Sequence, residues 1–584
     1  MFKLTATNLQ LHLVELVRAP AFTPEASRCF AENLSLKVSA VKFVPRCGST
    51  QCRSQASDGR WKMTTTSADP SPGSASRPTS SIVRFHPLAA VLLLAAAIRL
   101  PLAFWPNVLH PDEIFQSLEP AWRMLGHDGI VSWEWRYGMR GWLLPSLMAG
   151  PVGLGDWVAP GGAGAFVVPR LVAALASLSI VASAWFFGAR VSRTHAIIAA
   201  FVAAIWFEFV SFAPHTLSEP LATAVILPAA LLLTRTSLSQ RHLAIGGALL
   251  ALAFVLRFQY APAIAVLALG ACWKRWRNLI PLIAGGLIAL VFAGMADAAQ
   301  GAVPFAWLIA NVQQNLLHDR AAEFGVTPAI TYLFSFWMMW SVAIVPLLFA
   351  IWQGWRHAPL LLAMAVANIA FHSLIGHKEY RFIFLSVALF IIIAALGSAD
   401  WIIGWMRAKR AWPQWALPVV AGGWALISGA LAATGTMPDN WRSGTGAARL
   451  ATELRGDPAL CGLALYNTPF FTLPGRDRLV GRAPLYAFHP ADPVANDDFA
   501  GAARKAAPAF NRILSRRDSA TDLPAGFAQR DCANVGEADV CIFARSGGCE
   551  AAAAAPFVLN DVLERVDLKG SLATRPLGHS RQLQ

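Results

Sequence analysis

Acidic side chains are scarce in this chain. Only 34 Asp and Glu stand against 48 Lys and Arg among 584 residues, and charged residues of either sign make up 14%. Soluble domains carry about 25%, so a soluble enzyme is excluded as the main body. No Walker loop, no HExxH and no glycine fingerprint for a nucleotide occurs, which removes the usual seats for a nucleotide or a protease zinc. None of the eight cysteines has CxxC spacing, so a zinc ribbon is excluded as well. An enzyme in lipid without a nucleotide seat takes its activated group from a lipid carrier. Missing too is the compact n-region, h-region and cleavage site of a signal peptide.

What is abundant is apolar: hydrophobic residues make up 55%. They fall into eleven runs, roughly 86–105, 165–187, 195–213, 217–234, 243–257, 260–273, 278–296, 330–352, 358–375, 382–398 and 413–434. Many approach the ~20 residues that a bilayer core requires. A twelfth stretch, 142–155, is short and broken by Gly and Pro, and is expected to be re-entrant or interfacial. The expected fold is a mainly α, polytopic transmembrane bundle. The formal charge of +14 does not indicate nucleic acid, because the Lys and Arg are scattered between apolar runs.

Charge tests the count. With a cytosolic N-terminus, the cytosolic loops carry Arg190, Arg193, Arg235, Arg241, Lys274, Arg275, Arg277, Arg356, Arg407, Lys409 and Arg410, with Asp400 the one acid among them. That is the positive-inside pattern. The opposite side receives 106–141, His215 to Glu219, Arg257, 297–329, His377 to Arg381 and everything after 435. All the chemically unusual segments therefore share one face.

Residues 1–85 end in a Ser/Thr/Pro-rich stretch before the first run, and are expected to be a disordered cytosolic tail or an over-long gene model with Met63 as the true start. After the membrane domain, 86–434, the composition turns mixed. An amphipathic helix over 446–456 and strand-like runs at Leu460–Tyr466 and Asp539–Ala544 predict a small extracytoplasmic α/β domain over 435–549, followed by a tail, 550–584. Cys461, Cys532, Cys541 and Cys549 are able to form two disulfides there in an oxidising compartment, with connectivity open. The sole Asn-x-Ser/Thr sequon, Asn33-Leu34-Ser35, lies in the N-terminal tail. Its absence from the outer segments and the Ala-rich composition favour a bacterial inner membrane.

Three constellations carry chemistry. In the first outer loop, His110-Pro111-Asp112-Glu113-Ile114-Phe115-Gln116 is followed by Glu119 and by Trp133-Glu134-Trp135. Pro111 suits a helix start. Asp112, Glu113 and Gln116 then share the first turn, where the helix dipole favours ionised acids. The competing structural expectation is a solvated amphipathic helix with interfacial tryptophans. Carboxylates beside aromatic rings also suit a sugar. The second constellation, His377-Lys378-Glu379-Tyr380-Arg381-Phe382, gathers cations at an outer mouth, a seat for phosphate. The third is Arg257, which ends an apolar run and needs a phosphate or carboxylate partner at that depth; Glu219 is one candidate. Asn311, Asn315 and His318 are expected to form a polar helix face.

These motifs resemble the dolichyl-phosphate-mannose-dependent α-mannosyltransferases of GPI-anchor and N-glycan assembly, glycosyltransferase family 22 with a GT-C fold. The family's P-D-E-x-x-Q-x-x-E, T-W-E-W and arginine are matched by Pro111-Asp112-Glu113, Gln116, Glu119, Ser132-Trp133-Glu134-Trp135 and Arg140, and its H-K-E-x-R-F by His377, Lys378, Glu379, Arg381 and Phe382. Phe324-Gly325-Val326-Thr327-Pro328 is similar to its F-G-T-H-P loop, and Tyr466-Asn467-Thr468-Pro469 more weakly to a late motif. Its R-T-L-S-N is kept only in part, as His215-Thr216-Leu217-Ser218-Glu219. The resemblance implies inverting transfer of mannose from a polyprenyl- or dolichyl-phosphate carrier to a hydroxyl of a glycolipid or lipid-linked glycan. Asp112 would be the base, with Glu113 in reserve. His377, Lys378, Arg381 and Arg257 would bind the donor phosphate, and Gln116, Glu119, Trp133, Glu134 and Trp135 would bind substrate. No cofactor is required, although an Asp-Glu pair suits Mg²⁺ or Mn²⁺. A eukaryotic protein of this kind would sit in the endoplasmic reticulum. The alternatives are a GT-C transferase for another sugar, a polytopic lipid or ion transporter, and an idle assembly subunit.

Overall fold

The computed structural model describes residues 86–567, except 162, 409–414, 469–472, 482, 496–497 and 537. The N-terminal tail with its sequon, Lys409, Arg410, Pro469 and the segment beyond 567 lie outside the described residues.

Each expected apolar run folds as helix. Among the described residues, six stretches are long and apolar enough to cross a membrane: Pro87–Phe104, Gly164–Ala189, Trp276–Ala299, Thr331–His357, Tyr380–Trp401 and Ala416–Ala433. Shorter apolar helices at Arg193–Ile205, Ser218–Leu233, Gln240–Leu256, Phe258–Cys272 and Pro359–Leu374 fill the remaining places. The broken stretch after Trp142 is a helix too, Leu143–Val158, with Pro151 inside it.

Water supplies no driving force between helices in lipid, so close backbone approach has to hold them together. Gly247 and Gly285 provide it between Gln240–Leu256 and Leu279–Ala299: an added Cβ would lie 1.9 Å from the Leu282 carbonyl and 1.8 Å from that of Ala244, respectively. Gly354 and Gly397 do the same further on, facing the carbonyls of Ile393 and Ala350. Arg99, fully buried, spends its guanidinium on the carbonyls of Ala203 and Ala204 at 2.7 and 2.6 Å. Those carbonyls close the helix Arg193–Ile205, where the chain breaks before Phe207–Phe212.

The C-terminal part is an α/β unit around a five-stranded sheet. Its strands are β1 (Leu463–Tyr466), β2 (Leu485–Phe488), β3 (Arg512–Arg516), β4 (Ala528–Val535) and β5 (Ala538–Ala544), in the order β2-β1-β3-β5-β4. β1 runs parallel to β2 and β3, while β5 runs antiparallel to β3 and β4. Disulfides join Cys461 to Cys549 and Cys532 to Cys541. The unit does not stop at 549. Residues 551–567 pack on it, with Val562, Leu563 and Val566 buried and Arg565 paired to Asp492 at 2.8 Å. An alanine run followed by an amphipathic turn has too few large side chains to announce that packing.

The first outer loop and this unit share one apolar core, in which Ile114, Phe115 and Leu118 join Leu473, Leu479 and the sheet residues. The loop is therefore no surface helix. Glu113–Leu118 is π-helical and buried throughout, because the sheet unit covers the side that a solvated helix would turn to water.

Candidate active site

Arg381 lies in the turn that leads into the helix Phe384–Ala408 and is the hub of the site. One terminal nitrogen lies 2.7 Å from Asp112 Oδ2 and the other 2.9 Å from Glu219 Oε1, while its Nε donates to Glu379. The turn that carries it, Tyr380–Ile383, is anchored from below. Tyr380 Oη donates to buried Glu208, whose other oxygen accepts from Trp206 and Trp340 Nε1 at 2.6 and 3.2 Å.

Glu219 Oε1 is also 3.2 Å from Arg257 Nη1. Both guanidiniums lie over the Phe382 ring, Arg257 at 4.6 Å and Arg381 at 5.0 Å, so Phe382 fixes the pair in place through its π-face. His110 bridges the acids, with Nδ1 3.4 Å from Asp112 and Nε2 3.3 Å from Glu379. The ionic constellations expected from sequence thus meet on one face, as the charge pattern of the loops requires.

Burial raises the Asp112 carboxyl, but Arg381 and then His110 outweigh it and hold the group well below the usual carboxylate range. Glu379 is depressed in the same way by Arg381 and His110. Burial and Arg381 push His110 down, yet Asp112 and Glu379 outweigh them and the imidazole is raised. Three carboxylates and two guanidiniums leave one uncompensated negative charge when the imidazoles are neutral, so a protonated His110 balances the cluster.

Beside the cluster lies a cavity of about 490 Å³, counting its open mouth, lined by residues including Gln116, Arg140, Ser218, Arg257, Trp307 and Asn311. Gln116 Nε2 donates to Glu134 at 2.8 Å, and Glu134 also accepts from Arg140. Asn311 donates to the Met139 carbonyl. Arg140 and Arg257 each keep a buried Nε–H without a partner among the described residues. Both arginines line the cavity, and their guanidiniums make it a place for an acceptor-rich ligand.

Several expected roles change. Glu113 is fully buried and held between Arg170 Nε at 3.4 Å and His215 Nδ1 at 2.6 Å; it faces away from Asp112's partners and cannot stand in as base. Lys378 is buried too, and its Nζ donates to the carbonyls of Thr327 at 2.8 Å, Ile375 at 2.5 Å and Gly376 at 3.4 Å. It ties the Phe324–Pro328 loop to its own turn instead of facing a phosphate. His377 is used likewise, on the Gly325 carbonyl and Glu379.

Glu119 accepts from the Ile130 N–H at 2.5 Å and the Arg476 N–H at 2.7 Å, which makes it a tie to the sheet unit and not a sugar ligand. Trp135 donates to the Phe115 carbonyl at 2.9 Å, and Trp133 stacks on Phe324 at 5.8 Å. Sequence reasoning named His110, Arg140 and Asn311 but gave none of them a role in binding or chemistry. The signals were there: His110 immediately precedes Pro-Asp-Glu, and Arg140 closes the Trp-Glu-Trp segment.

The bundle with this outer cluster defines a polytopic membrane protein of glycosyltransferase architecture. The chain belongs to the Alg9-like mannosyltransferase family, whose model matches residues 90–440. It is 29% identical over 346 residues to GPI mannosyltransferase 3 of Yarrowia lipolytica, covering 56% of this chain and 65% of that one. To GPI mannosyltransferase 4 of Eremothecium gossypii it is 26% identical over 332 residues, covering 52% and 64%. The match thus spans a little under two thirds of these relatives' length. In fold it is similar to the crystal structure of ArnT from Cupriavidus metallidurans bound to undecaprenyl phosphate. The TM-score is 0.52 at 14% identity, over 78% of this chain and 97% of that one.

Proposed function

We propose that the protein transfers mannose from a polyprenyl-phosphate carrier to a hydroxyl of a GPI-like glycolipid or lipid-linked glycan, with inversion at the anomeric carbon. The observation that carries this is that Arg140 and Arg257 line one cavity, with Arg257 joined through Glu219 and Arg381 to Asp112. A sugar phosphodiester needs such donors at its leaving oxygens, and its acceptor needs a carboxylate close by.

In the proposed reaction the donor phosphate enters the cavity and engages Arg257 and Arg140. It draws Arg381 away from Asp112, whose basicity then recovers. The acceptor oxygen attacks C1, its proton passes to Asp112, and the C1–O bond to phosphate breaks with the electron pair leaving on a phosphate oxygen. The guanidiniums stabilise that charge in a site shielded from water. Glu379 and His110 hold the arginines and Asp112 in position.

Similarity to GPI mannosyltransferases supports mannose as the sugar and a GPI precursor as the acceptor type. We assign the site to the extracytoplasmic face of a bacterial inner membrane, or to the lumenal face of the endoplasmic reticulum in a eukaryotic cell. The test is to give purified protein radiolabelled polyprenyl-phosphate-mannose with membrane lipid extracts and to identify the labelled product. Labelled glycolipid supports the assignment. Label that stays on the carrier with every extract, while another polyprenyl-phosphate sugar is transferred, refutes mannose as the substrate.

A further inference from the structure

At the opposite end of the bundle, among the basic loops, three residues converge that the transfer chemistry does not use. His195 lies in the first turn of the helix Arg193–Ile205, His357 ends the turn Trp355–His357, and Asp400 belongs to the helix Phe384–Ala408. The Asp400 carboxylate points one oxygen at each imidazole: Oδ1 is 3.0 Å from His195 Nε2, and Oδ2 is paired with His357 Nε2. All three donor atoms lie within 4.8 Å of one another. Around a zinc-sized ion with bonds of roughly 2.1 Å, tetrahedral donors stand about 3.4 Å apart, so small side-chain rotations suffice to close a shell.

Two further features belong to a ligand set rather than to a chance contact. Ser192 Oγ is 2.7 Å from His195 Nδ1. Without a cation the His195 Nε2–H faces the Asp400 carboxylate; with one bound at Nε2 the ring proton sits on Nδ1 and donates to Ser192 Oγ, which fixes the ring as a second partner does for metal-bound histidines. The cluster is also reachable: His195 is buried at 4% side-chain exposure, while His357 and Asp400 are 27% and 34% exposed. An ion can enter, and water can complete its coordination. Asp400 is, moreover, the one acid that the sequence sets among the basic segments at this end of the bundle.

We propose that His195, His357 and Asp400 bind one divalent d-block cation of the zinc type, an N₂O donor set with an open position. Bound there, the ion would staple three helices that are distant in sequence at the cytosolic side of the bundle.

The experiment uses full-length protein purified in detergent on a tag without histidine and stripped with a chelator. Co²⁺ is titrated by visible absorption, and Zn²⁺ is then added in competition. One Co²⁺ per chain, displaced by Zn²⁺, is expected. Asp400→Asn and His357→Gln should each weaken Co²⁺ binding by more than about a hundredfold, and Ser192→Ala by about ten- to a hundredfold. No Co²⁺ band in the wild type, or equal affinity in Asp400→Asn, overturns the proposal. Where a variant aggregates, modification of wild-type His357 by diethyl pyrocarbonate decides: protection by Zn²⁺ supports the site, and equal modification with and without Zn²⁺ overturns it.

Discussion

Arg381 lies 2.7 Å from Asp112 while also engaging Glu219 and Glu379. The site is therefore latched: the carboxylate proposed as base is held by the cation that would stabilise the leaving group. A carboxyl kept far below its ordinary range is a weak base until that cation is drawn elsewhere. Basicity and donor binding are coupled through a single guanidinium.

Asp112→Asn should therefore abolish transfer without unfolding the protein. The amide keeps the shape, and Arg381 retains two carboxylate partners, so no buried charge is stranded. Loss of a general base lowers a rate by about 10²- to 10⁴-fold. Turnover in nanodiscs, together with a thermal melt, checks both halves. Near-normal turnover by a folded Asp112→Asn protein removes Asp112 from the chemistry.

Arg257 and Lys378 should separate cleanly. Arg257 lines the cavity, and a hydrogen bond to a charged group contributes about 1.5–3 kcal/mol. Arg257→Gln should thus raise the donor KM by roughly 10- to 100-fold and leave the acceptor KM nearly unchanged. Lys378 satisfies loop carbonyls, so Lys378→Met should lower stability and disturb both substrates alike. Steady-state kinetics with each substrate varied in turn decide this. A donor-selective defect in Lys378→Met would return that lysine to the phosphate.

The sequence and the structure agree most where physics acts over one element. Apolar runs set the helices, and charge alternation set which loops share a face; the meeting of Asp112 with Arg381 follows from that parity. The sheet unit was legible only at β1 and β5, because β2 is a four-residue run without alternation, β3 has only Ile513 and Leu514 between polar residues, and β4 is mostly polar. Least legible was the fate of individual polar side chains. Glu113, Glu119 and Lys378 look like ligands in a motif, yet each is consumed by a buried partner. Which charged side chain is taken up is decided by packing against Arg170, the Arg476 amide or the Thr327 carbonyl, distant in sequence, and no spacing rule encodes that.

Glu119 makes the tie between the first outer loop and the sheet unit sensitive to pH. Burial raises its carboxyl to about 7, against an ordinary value of 4.5, although two backbone N–H groups favour the anion. The folded state therefore holds this proton more tightly than the unfolded chain does. The contribution is fully present below about 4.5, declines as pH rises towards about 7, and is lost above it. Hydrogen exchange at Ile130 and Arg476, corrected for the intrinsic rate, should show weaker protection at pH 8 than at pH 5. Glu119→Gln should flatten that dependence. A wild-type protection that is flat, or that grows with pH, contradicts the assignment.

Metal removal probes the charge accounting of transfer itself. Asp112 and Glu113 are neighbours in sequence but engage different partners, Arg381 on one side and Arg170 with His215 on the other. The leaving phosphate is assigned to Arg257, Arg140 and Arg381, which stay charged at any working pH. Chelator-treated protein should then transfer mannose at its original rate, with no gain on adding Mg²⁺ or Mn²⁺. Zinc serves as the control, because a cytosolic-side staple at His195, His357 and Asp400 would alter the melting temperature without entering the chemistry. Activity lost on chelation and restored by Mg²⁺ or Mn²⁺, but not by Zn²⁺, would put a hard cation beside Asp112 and reassign the phosphate's charge partner from arginine to metal.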